Sequence, residues 1–227
     1  MMQQLKEYVD STDIQNKVFQ FALANSPEAQ SYLRLRHVSQ EMIAQFGIGY
    51  APDTEANFYY RNRITMPITD PKGNIEGWCS RAIDKDAKAK TLYTPNNTFF
   101  QKGVVVFGIS FAIETLFSTQ TAILVEGAFD ALRLHQIGIH NVLAVLGTNP
   151  TESQLSLVRM LAPNLVLLFD GDDAGRRGAK LTKEKSKNLS YNSIITVALP
   201  DREDPDSLGI KDAQKLKNLL TLAQLGT

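Results

Sequence analysis

The sequence contains few of the residues on which many structural and catalytic sites depend. Its 227 residues include one cysteine, Cys79, and three histidines. A single cysteine excludes a disulfide framework and a zinc site of four cysteines, so we expect no zinc. No apolar run approaches the ~20 residues of a membrane-spanning helix, and residues 1–7 lack the apolar stretch of a secretory signal. We therefore expect a cytoplasmic protein with no membrane partner.

Net charge and several catalytic motifs are also absent. Lysine and arginine together number 24, and aspartate and glutamate also number 24. This balance excludes a uniformly basic protein that coats nucleic acid, but it permits separate acidic and basic faces. The sequence has no Gly-Lys-Ser/Thr phosphate-binding loop and no serine or cysteine nucleophile motif, so it gives no support to a phosphate-loop ATPase.

The first half of the chain has the pattern of a mixed α and β region. Apolar spacing predicts short helices over residues 13–24, 28–36 and 40–46. Residues 63–69 and 75–83 then alternate between apolar and polar around a Pro-Lys-Gly-Asn turn, which predicts a β-hairpin. Residues 84–103 are polar and basic, and we expect them to be irregular.

The second half has the alternation of a parallel α/β sheet. Apolar runs at residues 121–125, 141–146, 165–169 and 194–199 predict strands, and helical patterns lie between them. Such alternation implies right-handed crossovers and a sheet buried on both faces. We predict an α/β fold in which residues 1–115 form an α+β subdomain with the basic hairpin. Residues 116–227 would form the parallel-sheet subdomain with flanking helices and a C-terminal helical tail.

Acidic residues follow three of the predicted strands. Glu126 follows the first strand, Asp170 and Asp172 the third, and Asp204 and Asp206 the fourth. The carboxyl ends of parallel strands meet at one edge of a sheet, where ligands bind. Clustered carboxylates repel unless a cation neutralises them, and such oxygen ligands suit Mg²⁺ together with substrate phosphates. Each acid taken alone also fits a helix cap or first-turn position.

A basic segment precedes the predicted sheet. Residues 61–102 contain eight lysines and arginines against four aspartates and glutamates. Arg63 and Arg81 flank apolar positions of the hairpin, an arrangement that allows them to point the same way. Such a surface would hold nucleic-acid phosphates, and the aromatic residues among these bases would stack on unpaired bases. Each residue taken alone also fits a solvated charged face or the core.

Several motifs resemble a known family. The sequences VEGAFDA at 125–131, LGT at 146–148 and FDGDDAGR at 169–176 resemble the Toprim module in order and spacing. Upstream, FGIGYAP at 46–52, RITMPITDPKG at 63–73 and QKG at 101–103 are similar to the RNA-polymerase domain of DnaG-type primases, as is LPDREDPDSL at 199–208 downstream. The resemblance extends over residues 30–210.

The resemblance implies roles for particular residues. It identifies Glu126, Asp170 and Asp172 as catalytic, metal-binding acids, with Asp204 and Asp206 as further metal ligands and Asp130 as a supporting acid. Together with the basic pattern, it assigns contacts to nucleotide or DNA to a second set: Arg61, Arg63, Arg81, Lys90, Lys102, Gly147, Thr148 and Arg176.

The activity that the resemblance implies is that of a primase catalytic core. Such a nucleotidyltransferase would use Mg²⁺ or Mn²⁺, nucleoside triphosphates and a single-stranded DNA template, in a bacterial cell or a phage-infected host. Its candidate protein partners are a replicative helicase and a separate zinc-ribbon protein. The second is a candidate because one cysteine cannot form the zinc ribbon that the family usually carries. Ala89 and Gln101 depart from the family pattern. These two differences bear on how the chain would handle its template, rather than on its metal chemistry.

Two other functions use the same residues. A Toprim nuclease would use the acids to cut a phosphodiester, and the primase-like upstream half argues against it. A subunit without activity would bind metal and nucleic acid but need a partner chain for turnover.

Overall fold

In the computed structural model, which describes residues 2–57 and 59–225, the chain divides between Lys102 and Gly103 into two units. The sequence placed this division between residues 115 and 116. That position lies inside the helix α4, Ile109–Thr119, which packs against the strands and helices of the second unit. The division therefore precedes the helix.

The first unit, Met1–Lys102, consists of short helices and an antiparallel sheet. The helices are α1 (Met2–Ala24), α2 (Pro27–Leu35) and α3 (Gln40–Gln45). The sheet has the order β1-β2-β3-β4, with strands β1 (Gly49–Ala51), β2 (Arg63–Thr69), β3 (Ile75–Ala82) and β4 (Thr91–Tyr93). The predicted hairpin is present as β2 and β3.

α1 packs against β1 and β3 of this sheet, with the buried side chain of Phe19 among its contacts. Phe19 packs edge-on against Trp78, with ring centroids 5.7 Å apart, and the indole Nε1 of Trp78 donates to Asn16 Oδ1 at 3.1 Å. A Cβ atom added at Gly49 would lie 2.5 Å from Phe19 Cβ, so the close approach of β1 to α1 requires a glycine there. The tryptophan is therefore a core residue, rather than one that stacks on a nucleic-acid base.

Two elements of the first unit differ from the sequence prediction. α1 begins eleven residues before the predicted helix at 13, because Tyr8 Oη donates to the Glu76 carbonyl at 2.6 Å and Thr12 Oγ1 to the Ile75 carbonyl at 3.0 Å. β4 lies within the segment predicted to be irregular. It is three residues long, too short for a periodic signal, and its pairing with β3 defines it.

The second unit, Gly103–Thr227, is the predicted parallel sheet. Its strands are β5 (Thr121–Val125), β6 (Val142–Ala144), β7 (Asn164–Leu167) and β8 (Ser193–Thr196), in the order β6-β5-β7-β8 with every pairing parallel. Besides α4, the helices are α5 (Ala128–Gln136), α6 (Glu152–Leu161), α7 (Asp173–Ser186), α8 (Pro205–Lys211) and α9 (Ala213–Leu225).

Strands β5, β6 and β7 of this second sheet are buried by helices, whereas the edge strand β8 is only half-buried. Leu124 and Leu167 are fully buried, as are Ala112 and Leu116 of α4 and Leu155 and Val158 of α6. This burial explains why the strands are near-continuous apolar runs in the sequence. In the part of the chain that the structure describes, no helix is both long enough and apolar enough to cross a membrane.

Candidate metal edge and basic surfaces

Two acids meet where neighbouring strands of the parallel sheet end. β5 and β7 are paired in parallel, with Leu124 opposite Leu167, so the residues that follow them emerge at the same edge. Glu126 comes directly after β5, and its Oε1 accepts a hydrogen bond from the backbone N–H of Asp170 at 3.0 Å. The sequence predicted this convergence from strand direction alone.

Burial and mutual repulsion both act on this acidic pair. The pKa of Asp170 is raised to about 7, first because the carboxyl is desolvated and then because of the negative charges on Glu126, Asp204 and Asp172. The pKa of Glu126 is also raised, chiefly by desolvation, although the hydrogen bond from Asp170 opposes this shift. A carboxylate in such surroundings is stabilised by a cation.

Asp172 is placed by the start of α7. It is the N-cap residue of that helix, and its Oδ1 accepts from the Gly175 backbone N–H at 2.7 Å. A Cβ atom added at Gly175 would lie 2.8 Å from Glu126 Oε1 and would overlap the Asp170 carbonyl oxygen. The glycine of this motif is therefore required for the close approach of α7 to the two acids.

Asp204 reaches the same edge by way of the segment before α8. The Gly171 N–H donates to the Glu203 carbonyl at 2.7 Å, and the Arg202 N–H donates to the Gly171 carbonyl at 2.9 Å. Asp204 then caps α8 by accepting from the Ser207 N–H at 2.6 Å. Its charge contributes to the raised pKa of Asp170. We call Glu126, Asp170, Asp172 and Asp204 the acidic edge.

The acidic edge fits a hard divalent cation. Asp170 Oδ1 is buried and accepts no hydrogen bond from any group that the structure describes, and a buried oxygen without a donor is uncommon unless another ligand satisfies it. Among the described residues, no group of three or more histidine, cysteine, aspartate or glutamate side chains is arranged to hold a metal ion. Mg²⁺ usually binds to one or two carboxylates, with waters and substrate phosphates as its other ligands.

Asp206, predicted as a metal ligand, is placed differently. Its Oδ1 lies 3.0 Å from Arg133 Nε, and both side chains are buried. Its carboxylate is thus paired with a cation inside the unit rather than presented at the acidic edge. The sequence did not identify Arg133 as a site residue, because its position within a predicted helix has no distinguishing pattern.

Asp130, which the sequence predicted as a supporting acid, lies on α5 near the acids of this edge. Its Oδ2 accepts from the Gly127 N–H at 2.9 Å and its Oδ1 from the Asp206 N–H at 3.2 Å. Burial raises its pKa well above the usual range, and the charges of Asp170, Asp204 and Asp206 add to this rise. Both of its oxygens are therefore used to hold backbone segments.

The loop at Gly147 and Thr148 adjoins the acids through backbone contacts. The Gly147 N–H donates to the Glu126 carbonyl at 3.1 Å. The Thr148 carbonyl oxygen approaches α7 so closely that a Cβ atom added at Gly178 would overlap it. The loop is thus held by backbone contacts to the residue after β5 and to α7. A Cβ atom added at Gly147 would meet no atom within 4 Å, so there is free space beside this glycine.

Arg176 bridges two segments near the acids. Its guanidinium lies 2.8 Å from Asp173 Oδ1 and 2.9 Å from Asp201 Oδ1, and it donates to the Gly171 carbonyl at 3.0 Å. The side chain is 53% exposed, so these ion pairs are individually weak and leave the group accessible to a phosphate.

The predicted basic residues of the first unit fall into different environments. Arg63 is buried and donates to the Ala89 carbonyl at 2.7 Å, which stabilises the segment before β4. Strand register pairs Arg63 with Ala82 and Ile64 with Arg81. Side chains alternate along a strand, so the two arginines lie on opposite faces of the sheet, and the expectation that they point the same way is wrong.

Arg81 and Lys90 line one cavity of about 460 Å³, together with Arg36 and Lys85. We call these four cations the basic cavity. The sequence did not single out Arg36, because it lies at the end of α2 and only the tertiary fold brings it to the hairpin.

Arg61 and Lys102 lie outside the lining of that cavity. Arg61 Nε is 3.7 Å from Asp53 Oδ1. Lys102 Nζ lies 4.0 Å from the centroid of the Tyr93 ring, and burial lowers its pKa. The tyrosine hydroxyl of Tyr59 donates to the Tyr93 carbonyl at 2.9 Å, so these aromatic residues are also part of the local structure.

Comparison with known proteins connects both units to one family. Residues 123–221 match the family described as Toprim-like, and residues 55–113 match the family described as DNA primase catalytic core, N-terminal domain. The chain is 33% identical over 213 residues to the DNA primase of Aquifex aeolicus, covering 82% of this chain and 43% of that protein. It is 30% identical to the DNA primase of Clostridium acetobutylicum, covering 85% of this chain and 37% of that protein. The chain thus spans about two fifths of these relatives.

Solved structures agree in fold. The crystal structure of the zinc-binding and RNA polymerase domains of the Aquifex aeolicus primase matches with a TM-score of 0.87 and 30% identity, over 93% of this chain and 59% of that one. The structure of a DnaG primase catalytic domain bound to single-stranded DNA also gives a TM-score of 0.87, with 27% identity, over 99% of this chain and 83% of that one.

Proposed function

Because the chain belongs to the DnaG-type primase family, as a catalytic core with a Toprim-like module, we propose that it synthesises short RNA primers on single-stranded DNA. The reaction would join nucleotides by attack of a primer 3′-hydroxyl on the α-phosphate of a nucleoside triphosphate. The bond between the α- and β-phosphates breaks, and pyrophosphate leaves.

The observation that carries this proposal is the environment of Asp170. Its buried Oδ1 accepts no hydrogen bond within the described chain, while Glu126 is held against its backbone at 3.0 Å. A bound cation would satisfy this oxygen and offset the cost of burying the carboxylate charge. Within the proposed activity, that cation is Mg²⁺, for which Mn²⁺ substitutes. One or two carboxylates of the acidic edge (Glu126, Asp170, Asp172 and Asp204) would bind it, together with water and substrate phosphates.

A bound divalent cation would neutralise charge on the reacting phosphates and help to orient them. The protein's own residues then have three tasks. The acidic edge supplies oxygens at one place, because its residues follow the paired strands β5 and β7 or cap the helices α7 and α8. The Gly147 loop and Arg176 lie beside that edge and would contact nucleotide phosphates. No side-chain nucleophile is required, since positioning and charge stabilisation supply most of the acceleration.

The basic cavity suits the template. Its lining carries four cations, Arg36, Arg81, Lys85 and Lys90, against one acid, Asp84, in a chain with no net charge. Backbone phosphates are the natural partner of such a basic cluster. A DnaG primase catalytic domain of similar fold was solved bound to single-stranded DNA, which supports single-stranded DNA as the template. As further partners, a replicative helicase and a separate zinc-ribbon protein remain part of the proposal.

The test is synthesis of labelled products from ribonucleotides on single-stranded DNA with Mg²⁺ or Mn²⁺. We expect short products from the unmodified chain and none from Asp170→Ala. The control is Asp13→Ala, an exposed acid on α1, which we expect to retain full synthesis. Circular dichroism and Tm would establish that both variants are folded.

Three results would contradict the proposal. Full synthesis by Asp170→Ala would remove the proposed site. Cutting of the template or nicking of a plasmid, without primer products, would indicate a nuclease. Binding of Mn²⁺ and DNA with no product would indicate a chain that lacks this activity by itself.

A further inference from the structure

The helices α5 and α8 are joined by an ion pair that has little contact with solvent. Arg133 Nε lies 3.0 Å from Asp206 Oδ1, and the two side chains are 4% and 7% exposed. The two residues are 73 positions apart in the sequence. Removing one member of such a pair leaves an uncompensated charge in the interior, whereas the pair itself adds little stability over apolar residues. Its presence therefore points to a role in positioning.

Gly209 of α8 provides the space that the arginine occupies. A Cβ atom added at Gly209 would lie 2.5 Å from Arg133 Cγ and 2.9 Å from Arg133 Cδ. Atoms do not approach so closely without displacement, so α8 lies directly on the aliphatic part of Arg133. The glycine and the arginine form one packing unit, which fixes the distance between the two helices.

The same two helices hold the acidic edge through backbone hydrogen bonds. Asp130 lies three residues before Arg133 on α5 and accepts from the Gly127 N–H at 2.9 Å and from the Asp206 N–H at 3.2 Å. Gly127 directly follows Glu126, and Asp206 lies two residues after Asp204. Any movement of α8 against α5 therefore changes the separation between Glu126 and Asp204.

We propose that Arg133 is a positioning residue of the metal site, which keeps the Asp206 carboxylate out of the acidic edge and holds α8 so that Asp204 stays beside Asp170. This inference rests on the proposed metal-dependent function. It divides the acids of the Toprim-like unit into two groups. Glu126, Asp170, Asp172 and Asp204 face the cation, while Asp206 serves Arg133.

The test is a double-mutant cycle on the full chain, with Mn²⁺ alone as the probe. Free Mn²⁺ is measured by electron paramagnetic resonance, without DNA or nucleotide, for the unmodified chain, Arg133→Met, Asp206→Asn and the double variant. We expect each single change to weaken Mn²⁺ binding about tenfold, because each releases the same contact. The double variant should also be about tenfold weaker, since interacting residues are not additive.

Two further variants complete the experiment. Arg133→Lys keeps a cation near Asp206, and we expect it to bind Mn²⁺ within about threefold of the unmodified chain. Arg34→Met removes an exposed arginine of α2, and it should leave Mn²⁺ binding unchanged. If Arg133→Met does not fold at the assay temperature, Asp206→Asn compared with Arg133→Lys tests the same contact.

Different results would overturn the inference. A lower Tm with unchanged Mn²⁺ binding in Arg133→Met would show a role in stability alone. A loss of about a hundredfold in the double variant would show that Asp206 acts independently, as a ligand itself. Failure of the unmodified chain to bind Mn²⁺ would contradict both this inference and the proposed function. Tight binding without primer synthesis would contradict the proposed function only.

Discussion

Individual carboxylates of the acidic edge lie in surroundings that oppose their charge. Asp170 is desolvated and lies near three other acids, which together raise its pKa to about 7. An arrangement of this kind lowers the stability of the fold while it prepares a site for a cation. Stability and function should therefore respond in opposite directions when this charge is removed.

Asp170→Asn tests that opposition. The amide keeps the shape of the carboxylate and removes the repulsion from Glu126 and Asp204. We therefore expect Tm to rise by a few degrees at pH 8 without added metal, since each kcal/mol of added stability raises Tm by ~2–4 °C in a chain of this size. Added Mn²⁺ should raise the Tm of the unmodified chain but not that of the variant. Differential scanning calorimetry measures both effects. A variant with lower Tm in the absence of metal would contradict this interpretation.

His135 predicts a pH dependence of stability in the second unit. Burial, and to a smaller extent the nearby His140, together lower its pKa to about 4. Between pH 6.5 and pH 4 the unfolded chain therefore binds more protons at this residue than the folded chain, so stability falls as pH falls through this range. The full effect is on the order of 3 kcal/mol.

Replacing the imidazole of His135 separates its contribution to the pH dependence of stability from the contribution of the carboxylates. We expect His135→Gln to lose less stability than the unmodified chain between pH 6.5 and pH 4, as measured by urea unfolding at several pH values. Parallel curves for the two proteins would show that His135 does not control this dependence. His140→Gln, at an exposed position, should retain most of the slope.

At the scale of elements, the positions of turns and helix starts decide where the site residues lie. α7 begins at its cap Asp172 and passes close to the loop before α6, where Gly178 faces the Thr148 carbonyl. This contact allows a loop and a helix to lie side by side next to the acids. It depends on the absence of a side chain at one helical position.

Gly178→Ala should therefore disturb the loop. A Cβ atom there overlaps a backbone oxygen, which cannot move as a flexible side chain does. Overpacking of this kind costs about 1–3 kcal/mol, even though alanine favours a helix. Gly147→Ala is the matched comparison for stability, because its Cβ atom would meet nothing within 4 Å. Thermal unfolding of the two variants compares them, and equal Tm values would contradict the proposed contact.

At the scale of the whole molecule, each unit is close to neutral, but the local clusters of opposite charge lie in different units. The basic cavity belongs to the first unit and the acidic edge to the second, while the chain has 24 charges of each sign. Template binding and metal binding should therefore be separable by mutation, even if both are needed for the same reaction.

Lys90→Ala and Arg81→Ala test this separation. We expect each to weaken binding of single-stranded DNA and to reduce the slope of log K against log salt by about 0.7 for each phosphate that the variant no longer neutralises. Mn²⁺ affinity should not change. Lys72→Ala, in the exposed turn between β2 and β3, is the control. Fluorescence anisotropy at several salt concentrations gives the slopes, and an unchanged slope in Lys90→Ala would contradict a role in phosphate binding.

The sequence by itself determined the sheet and the meeting of its acids. Apolar runs separated by helical patterns imply parallel strands, and parallel strands bring Glu126 and Asp170 to one edge, which the register of β5 and β7 confirms. The glycines at 171 and 175 belong to the same local motif. These features depend on periodicity and connection rules, which act over a few residues or over one crossover.

Only the tertiary structure decided the partners of individual charged side chains. Asp206 follows a strand as Asp204 does, yet it pairs with Arg133 on α5, 73 positions earlier. Arg63 and Arg81 look alike in the sequence, yet Arg63 is buried and donates to the Ala89 carbonyl. Arg36 lines the basic cavity although it lies at the end of another element, α2. Residue type states which charge is present, whereas long-range packing decides what each charge contacts and how much water reaches it.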